Sequence, residues 1–493
     1  MDLTGYNLLG FESNPFNSNT AEREPEIAEY AVHPPYLDRT QEASKAAKGA
    51  FFLEGARGSG KSATRLTIAK KMFTGQGAPL VVPLTVYNVF RPYVKGQLTP
   101  DLLVTQIAFL TAEALVAWLA SADDAEKAEV TKKIAKQEKL VSRFISQFYL
   151  NRADNSRSAS ASETYELLRT SRQGQARILV ERKWDQFAGT VASLASSLGK
   201  KYLDLDIGDP ASLQKLLEQQ RGDGFIDYTY TLTRMVEVAK AFGFSGVLIQ
   251  IDKLDETDWT ASEPSAAGEL VLPLLANISL HEIDGLVWTF FVWDEVAGFL
   301  RKNHRDKIRF DKISHGKIEW ETKYLSDLVS RRLSFFSNGK VHDLEEICDA
   351  GTNPTGILPD LIELTGHSPR GLISALDHVL STHIQRNQSA PKKLDPSSFE
   401  LGMNSYAIRS LEEAGLLDEA RTIAKLNLAS FVTKDVQNLT RQSAQTARGR
   451  IDQWLSDRLV KQDGTRSTGG AGRPVDQFRV SDPRAARVMS RGL

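Results

Sequence analysis

Cysteine occurs once, at Cys348. A lone thiol leaves no internal disulfide framework and no cysteine-built metal cluster, and it suits a reducing compartment. Long apolar runs are scarce as well. The longest, Leu286 to Trp293, has the length of a strand and falls short of the roughly 18 to 20 residues of a membrane span. Met1 to Phe16 lack a basic stretch followed by an apolar core, so no secretory leader is expected. Excess charge of either sign is missing overall, at −1 over 493 residues, which argues against a uniformly basic surface for nucleic acid. These absences point to a soluble cytoplasmic protein that does not engage a membrane.

With 41% apolar and 25% charged residues the composition is that of a globular chain, and 493 residues are too many for one compact core. Two to four domains are expected. The charge is uneven: from Arg421 to Leu493 fourteen Lys or Arg stand against six Asp and no Glu, a net of +8.

Residues 55 to 62 read Gly-Ala-Arg-Gly-Ser-Gly-Lys-Ser, between an apolar run (Gly49 to Glu54) and a helical stretch (Ala63 to Met72). A glycine loop that joins strand to helix turns successive amide N–H groups around an anion, and the helix start adds its dipole. Gly55, Ala56, Arg57, Gly58, Ser59, Gly60, Lys61, Ser62 and Ala63 are therefore the nucleotide-binding stretch. Lys61 would reach the β- and γ-phosphates, and the Ser62 hydroxyl would bind Mg2+. ATP and Mg2+ are the ligands this pattern implies.

Such a loop needs a carboxylate at the end of a neighbouring buried strand. Val247 to Ile251 is an apolar run followed by Asp252, Lys253, Leu254, Asp255 and Glu256. Asp252 is the expected magnesium carboxylate. Lys253 takes the position where many ring-forming ATPases carry a catalytic glutamate, so activation of water falls to Asp255 or Glu256. Asp294, after the strand Leu286 to Trp293, either senses the γ-phosphate or simply ends the strand. Arg370, in Ser368-Pro369-Arg370-Gly371 at a helix start, is a candidate to couple the γ-phosphate to a small helical domain. Arg309, Arg331 and Arg332 are candidates to act on a neighbouring subunit.

A second strand over Leu80 to Val86 makes the pattern α/β, a P-loop fold with a parallel sheet flanked by helices. The 183 residues between Ser62 and Gly246 require an insertion, opened by Thr99-Pro100 and broken by a Ser/Ala/Asn loop at 151–163, with further helical sequence over 164–199. Six parts are expected: an N-terminal arm over 1–48, ATPase core over 49–98, a helical insertion over 99–199, the rest of the core over 200–338, a helical lid over 339–400 and a winged-helix domain over 401–493. In the arm, Tyr30 and Tyr36 either stack on adenine or cover an apolar seam. In the last part a helix from Arg421, a helix from Thr433, a longer helix over Ala444 to Val460, a glycine-rich basic loop over Lys461 to Pro474 and a strand over Val475 to Val480 read as a helix-turn-helix with a wing. If it meets DNA, Gln442, Gln445, Arg448 and Arg450 lie near the recognition-helix start, and Arg466 and Arg473 on the wing.

With its Asn14-Pro15-Phe16 and Pro34-Pro35-Tyr36 arm, its P-loop, the Ile251-to-Glu256 carboxylates and the Ser-Pro-Arg-Gly helix start, the chain resembles bacterial P-loop ATPases related to the Orc/Cdc6 and STAND branches of the AAA+ superfamily. The resemblance implies an ATPase that switches conformation and oligomeric state as a homo-oligomer, with roles in DNA transactions or anti-phage defence. It leaves two readings open. One is an ATP-hydrolysing switch, a phosphoanhydride hydrolase of slow turnover, that engages DNA through residues 421–493. The other is a low-turnover, nucleotide-bound scaffold or sensor that holds or regulates protein partners, such as one encoded by a neighbouring gene.

Overall fold

The computed structural model describes residues 4–18, 20–24, 26–73, 76–90, 98–150, 227–387, 393–467 and 474–493. They form two compact units. One comprises Ala21–Glu29 and His33–Glu319; the other comprises Met1–Thr20, Tyr30–Val32 and Trp320–Leu493. Residues 320–338, expected with the ATPase core, cluster instead in the unit that holds residues 339–400.

The first unit is built on a five-stranded sheet in the order β2-β3-β4-β1-β5, with β1 Gly49–Gly55, β2 Leu80–Leu84, β3 Val247–Ile251, β4 Leu286–Trp293 and β5 Ser314–Lys317. Every pairing is parallel. The inner strands are buried along nearly their whole length, which is why they read as unbroken apolar runs rather than alternating ones. Helices Lys61–Met72, Tyr228–Ala241, Pro264–Leu275 and Asp294–Asn303 lie along the chain between these strands. The α/β P-loop architecture expected from the sequence is the one observed. Parallel strands all end on the same side, so the residues that follow β1, β3 and β4 gather at one edge, where open α/β sheets hold their ligands.

The insertion begins with Pro100–Ser121, entered through Thr99 with Pro100 in the first turn. Its stretch Pro100–Leu119 has a mean hydropathy of 1.8, long and apolar enough to cross a membrane, yet 89% of it is buried within the fold. The expectation that no apolar segment approaches that length therefore fails. Buried Gln106, Thr111 and Glu113 interrupt the run in sequence while the helix stays apolar on all sides. It is a core helix: Trp118 meets Phe244 edge-on at 5.0 Å, and the Thr111 hydroxyl lies 3.1 Å from the Met235 sulfur. A capping box of Asp123 and Glu126 starts the next helix, Asp124–Ala135, and Glu138–Ile145 follows. The expected break at 151–163 and the helical sequence over 164–199 lie outside the described residues.

His281 is buried in this unit. Its Nε2 lies 3.1 Å from the Leu274 carbonyl oxygen, and its ring packs edge-on to Trp288 and Phe290. Burial lowers its pKa from 6.5 to about 4. The unfolded chain thus takes up a proton that the folded chain refuses, so stability present above about pH 6.5 is lost as the pH falls toward 4. The expected loss is up to about 1.4 kcal/mol per pH unit in that window. Urea titrations at pH 7 and pH 5 check this. His281→Gln, uncharged throughout, should show a loss smaller by about 2 kcal/mol, and an equal loss in both proteins refutes it.

In the second unit, helices Thr322–Phe336, Pro354–Leu364, Pro369–Arg386 and Pro396–Glu413 share one apolar core that includes Leu333, Leu361, Leu376 and Phe399. Asn14-Pro15-Phe16 docks onto it. Phe16 is buried there, the Asn14 amide donates to Asp377 Oδ1 at 2.6 Å, and Arg332 Nε donates to the Pro15 carbonyl at 2.8 Å. Tyr30 packs on Phe335 with ring centroids 4.7 Å apart. Tyr36, in the other unit, is buried on the helix Pro35–Ser44, and burial raises its hydroxyl pKa. Tyr30 thus covers an apolar seam.

A second core in this unit joins Leu417–Leu426, β6 Ser430–Val432, Thr433–Thr440, Ala444–Ser456, β7 Val460–Arg466 and β8 Val475–Val480 around Phe431, Trp454 and Phe478. The strands form an antiparallel sheet in the order β6-β8-β7. The last long helix was expected to reach Val460, but it stops at Ser456. Arg458 adopts a left-handed conformation (φ 60°), Leu459 N–H bonds to the Trp454 carbonyl and Arg458 N–H to that of Leu455. That is a Schellman ending with arginine where glycine usually stands, so the sequence carried no stop signal. The expected loop over Lys461 to Pro474 begins instead as strand, with β7 running to Arg466.

Candidate functional site

The loop after β1 has the backbone its glycines suggested. Gly58 and Gly60 sit at φ 74° and 94°, angles that disfavour any side chain, and Gly60 caps the helix Lys61–Met72. The Lys61 ammonium folds back on its own loop, donating to the carbonyls of Gly55 at 2.9 Å and Ala56 at 3.0 Å. Desolvation lowers its pKa, opposed by the charges of Asp255, Asp252, Asp294 and Glu256. The ends of β1, β3 and β4 therefore contribute to one electrostatic site, as the sheet order requires.

Asp252 is buried, with three donors converging on its carboxylate. The Ser62 hydroxyl donates to Oδ2 at 2.9 Å, Arg65 Nε to the same oxygen at 3.0 Å, and the Lys253 amide to Oδ1 at 2.9 Å. Ser62 and Asp252, 190 residues apart in the chain, thus meet directly. The Tyr87 hydroxyl, 2.9 Å from the Asp252 carbonyl oxygen, fixes the backbone below. Lys253 takes a left-handed φ of 62°, and its ammonium pairs with Glu22 at 2.8 Å, turned to the arm rather than to Asp252.

The two candidates for activating water separate. Asp255 is buried and bound by Arg57, with Nε at 3.0 Å and the terminal nitrogen at 2.9 Å from Oδ2. Glu256 reaches solvent. Partial desolvation, with the nearby carboxylates of Asp252, Asp255 and Glu22, raises its pKa against the pull of Lys253. Asp294 accepts from the Glu295 amide at 3.0 Å and so also begins the helix Asp294–Asn303.

Oxygen donors of this kind suit a hard cation. Among the described residues no group of three or more His, Cys, Asp or Glu could hold a metal. A magnesium ion would therefore rest on the Ser62 hydroxyl, the Asp252 carboxylate and oxygens of the nucleotide, and the residues present fit that donor set.

Sequence reasoning missed Arg65, Glu22 and Trp293. Arg65 is fully buried, although a cation on the P-loop helix reads as a solvated residue. Trp293, at the end of β4, carries the Arg57 guanidinium 4.1 Å above its ring. Arg370 is exposed on the first turn of Pro369–Arg386, in the other unit. Of the residues considered for a neighbouring subunit, Arg309 is paired bidentately with Asp311 and Arg331 with Asp327. Arg332 is buried on Pro15 and Tyr30, which commits it to its own chain.

In the C-terminal module several of the arginines are engaged in ion pairs. Arg450 pairs with Glu419, which also accepts from the Trp454 indole at 2.6 Å, so Arg450 braces the fold and leaves the candidate DNA set. Arg479 pairs with Asp463, Arg484 with Asp482, and Arg487 and Arg491 with Glu400. Arg441, Gln442, Gln445 and Arg448 stay exposed at the start of Ala444–Ser456, as does Arg466 at the end of β7. Arg473 lies outside the described residues.

No protein-family model matches the chain, and no curated protein is similar to it. Among solved structures it is similar to the ORC1 protein of Aeropyrum pernix in complex with DNA, at 12% identity and a TM-score of 0.38 over 95% of this chain and 96% of that one. The Walker-type ATPase of Pyrococcus abyssi aligns at 10% identity and 0.40, over 93% and 96%. The ORC2 protein of Aeropyrum pernix in ADPNP-ADP complexes aligns at 11% and 0.41, over 97% and 95%. Likenesses this distant carry no weight for function. Sheet order, loop geometry and the Ser62–Asp252 contact define the chain as an α/β P-loop protein.

Proposed function

We propose that the protein is an ATP-binding molecular switch that hydrolyses ATP slowly with Mg2+, oligomerises, and engages DNA through a C-terminal winged helix. The convergence of Lys61, Ser62 and Asp252 on one edge of the sheet carries this reading. Lys61 would exchange the carbonyls of Gly55 and Ala56 for phosphate oxygens, while the loop amides cradle the chain of phosphates. Ser62 and Asp252 would hold the cation, which when bound neutralises phosphate charge. Glu256 is the better placed base, because it reaches solvent where Asp255 is buried, and its raised pKa makes it more basic than an ordinary carboxylate. Arg370 is assigned the coupling of nucleotide state to the helical lid. The resemblance to Orc/Cdc6-like and STAND-like ATPases supports oligomerisation and a setting in DNA transactions or anti-phage defence.

Phosphate release by Glu256→Gln tests the hydrolytic step. The variant should keep ATP affinity and lose about 100-fold or more in turnover. One observation favours the scaffold reading instead: Lys253 stands after Asp252 and is held away on Glu22. Negligible phosphate release by wild type together with tight ATP retention would decide for it.

For DNA, the exposed cations at the start of Ala444–Ser456 and on the hairpin support phosphate contact. Affinity of the full chain for a duplex should fall linearly with the logarithm of salt concentration, and Arg448→Ala should reduce that slope by about 1. Salt-independent binding, or none, defeats this half of the reading.

A further inference from the structure

Arg57 lies in the phosphate loop, and its half-exposed side chain is held by partners on two other segments. Its guanidinium is stacked on Trp293, at the end of β4, and forks onto Oδ2 of Asp255, in the turn after β3. It is held from two sides over the C-terminal edge of the sheet. Asp255 is also the carboxylate with the largest attractive effect on the Lys61 ammonium. Arg57 thus bonds a buried anion whose charge also acts on Lys61, which itself donates to the Gly55 and Ala56 carbonyls. Planar guanidinium suits both partners, since it can stack on an indole face and bond an oxyanion through parallel N–H groups.

We propose that Arg57 is a specificity-determining residue that distinguishes ATP from ADP, with Asp255 acting in the nucleotide-free protein as the anion that a terminal phosphate replaces. This rests on the nucleotide-binding reading above. A terminal phosphate carries more charge and more acceptor oxygens than a carboxylate, so the Arg57 fork gains by moving from Asp255 to it. ADP has no γ-phosphate to reach that position, and Arg57 then stays on Asp255. The exchange also frees Asp255 only when the triphosphate is present. Trp293 keeps the guanidinium over the site, so it need shift only between two neighbouring anions.

Titration of the full-length protein with fluorescent ATP and ADP analogues, in magnesium, separates the possibilities. Arg57→Ala is expected to weaken ATP about ten- to hundred-fold and to change ADP about two-fold at most, collapsing the preference. Arg57→Lys, which keeps the charge and loses the fork, should fall between. Asp255→Asn, which loosens the competing anion, should tighten ATP relative to ADP. Arg57 is 45% exposed but Asp255 is buried, so a thermal melt accompanies each variant, and Arg57→Lys, which keeps a cation beside Asp255, carries the comparison if Arg57→Ala loses stability. Equal weakening of both nucleotides by Arg57→Ala, or no change in either, overturns the assignment while the binding reading stands. A wild-type protein that binds neither nucleotide removes the reading and this inference with it.

Discussion

Lys61→Ala is expected to weaken ATP binding about 100-fold and to leave the fold intact. In the nucleotide-free protein the ammonium donates to the carbonyls of Gly55 and Ala56, neutral acceptors of its own loop. Phosphate oxygens are charged, and a hydrogen bond to a charged group is worth roughly 1.5 to 3 kcal/mol against about 1 for a neutral one. Removing the cation forfeits that difference and the attraction across the site. The expected loss is about 2.7 kcal/mol of binding. Loop carbonyls near solvent regain water, so the change in unfolding free energy should stay below about 1 kcal/mol. A titration and a thermal melt on the same preparation check both parts. A folded variant with wild-type affinity contradicts the account of the loop.

The second large effect concerns Arg65, which contacts no phosphate in this reading. Its side chain is fully buried, and its Nε donates to Asp252 Oδ2 at 3.0 Å. Arg65→Met keeps the length of the side chain but strands the Asp252 carboxylate with the Ser62 hydroxyl and the Lys253 amide alone. Breaking a buried pair from one side costs about 3 to 5 kcal/mol, because the remaining charge loses its compensation. For a unit of this size that is a fall of about 10 °C in melting temperature. The double variant Arg65→Met with Asp252→Asn removes the stranded charge and should recover part of the loss, giving an interaction energy between the two positions. Strictly additive losses would show that the pair does not act as one.

Arg65 also marks where sequence reasoning ran out. The loop was legible because its chemistry constrains the backbone: Gly58 and Gly60 must take positive φ, and Lys61 and Ser62 must follow at once. Asp252 was legible because an apolar strand that ends in carboxylates is unusual. Arg65 follows Lys61 by four residues on a helix, a spacing typical of a solvated cation, but it is buried between Asp252 and Glu22 of the arm. Trp293 reads as the last residue of an apolar strand, with no hint that Arg57 rests on it. Spacing does not separate Asp255 from Glu256; the structure differs between them in burying the first and exposing the second.

The same division holds in the scaffold. Alternating strands and helices gave the parallel sheet, since buried parallel strands are apolar throughout. Pro100–Ser121 escaped as an apolar helix because its buried polar residues broke the run. β7 escaped because Arg458, not glycine, takes the left-handed position that ends the preceding helix. The C-terminal charge was countable, but its use was not. Glu419, Asp463, Asp482 and Glu400 absorb arginines that the sequence offered equally to DNA.

Calorimetric titration of the full-length protein with ATP, in magnesium and again in excess chelator, tests the central claim most directly. The account predicts saturable binding of one nucleotide per chain that weakens at least about ten-fold without the cation, since Ser62 and Asp252 would hold the metal only together with phosphate oxygens. Absence of heat at millimolar ATP, or an affinity indifferent to magnesium, would contradict it.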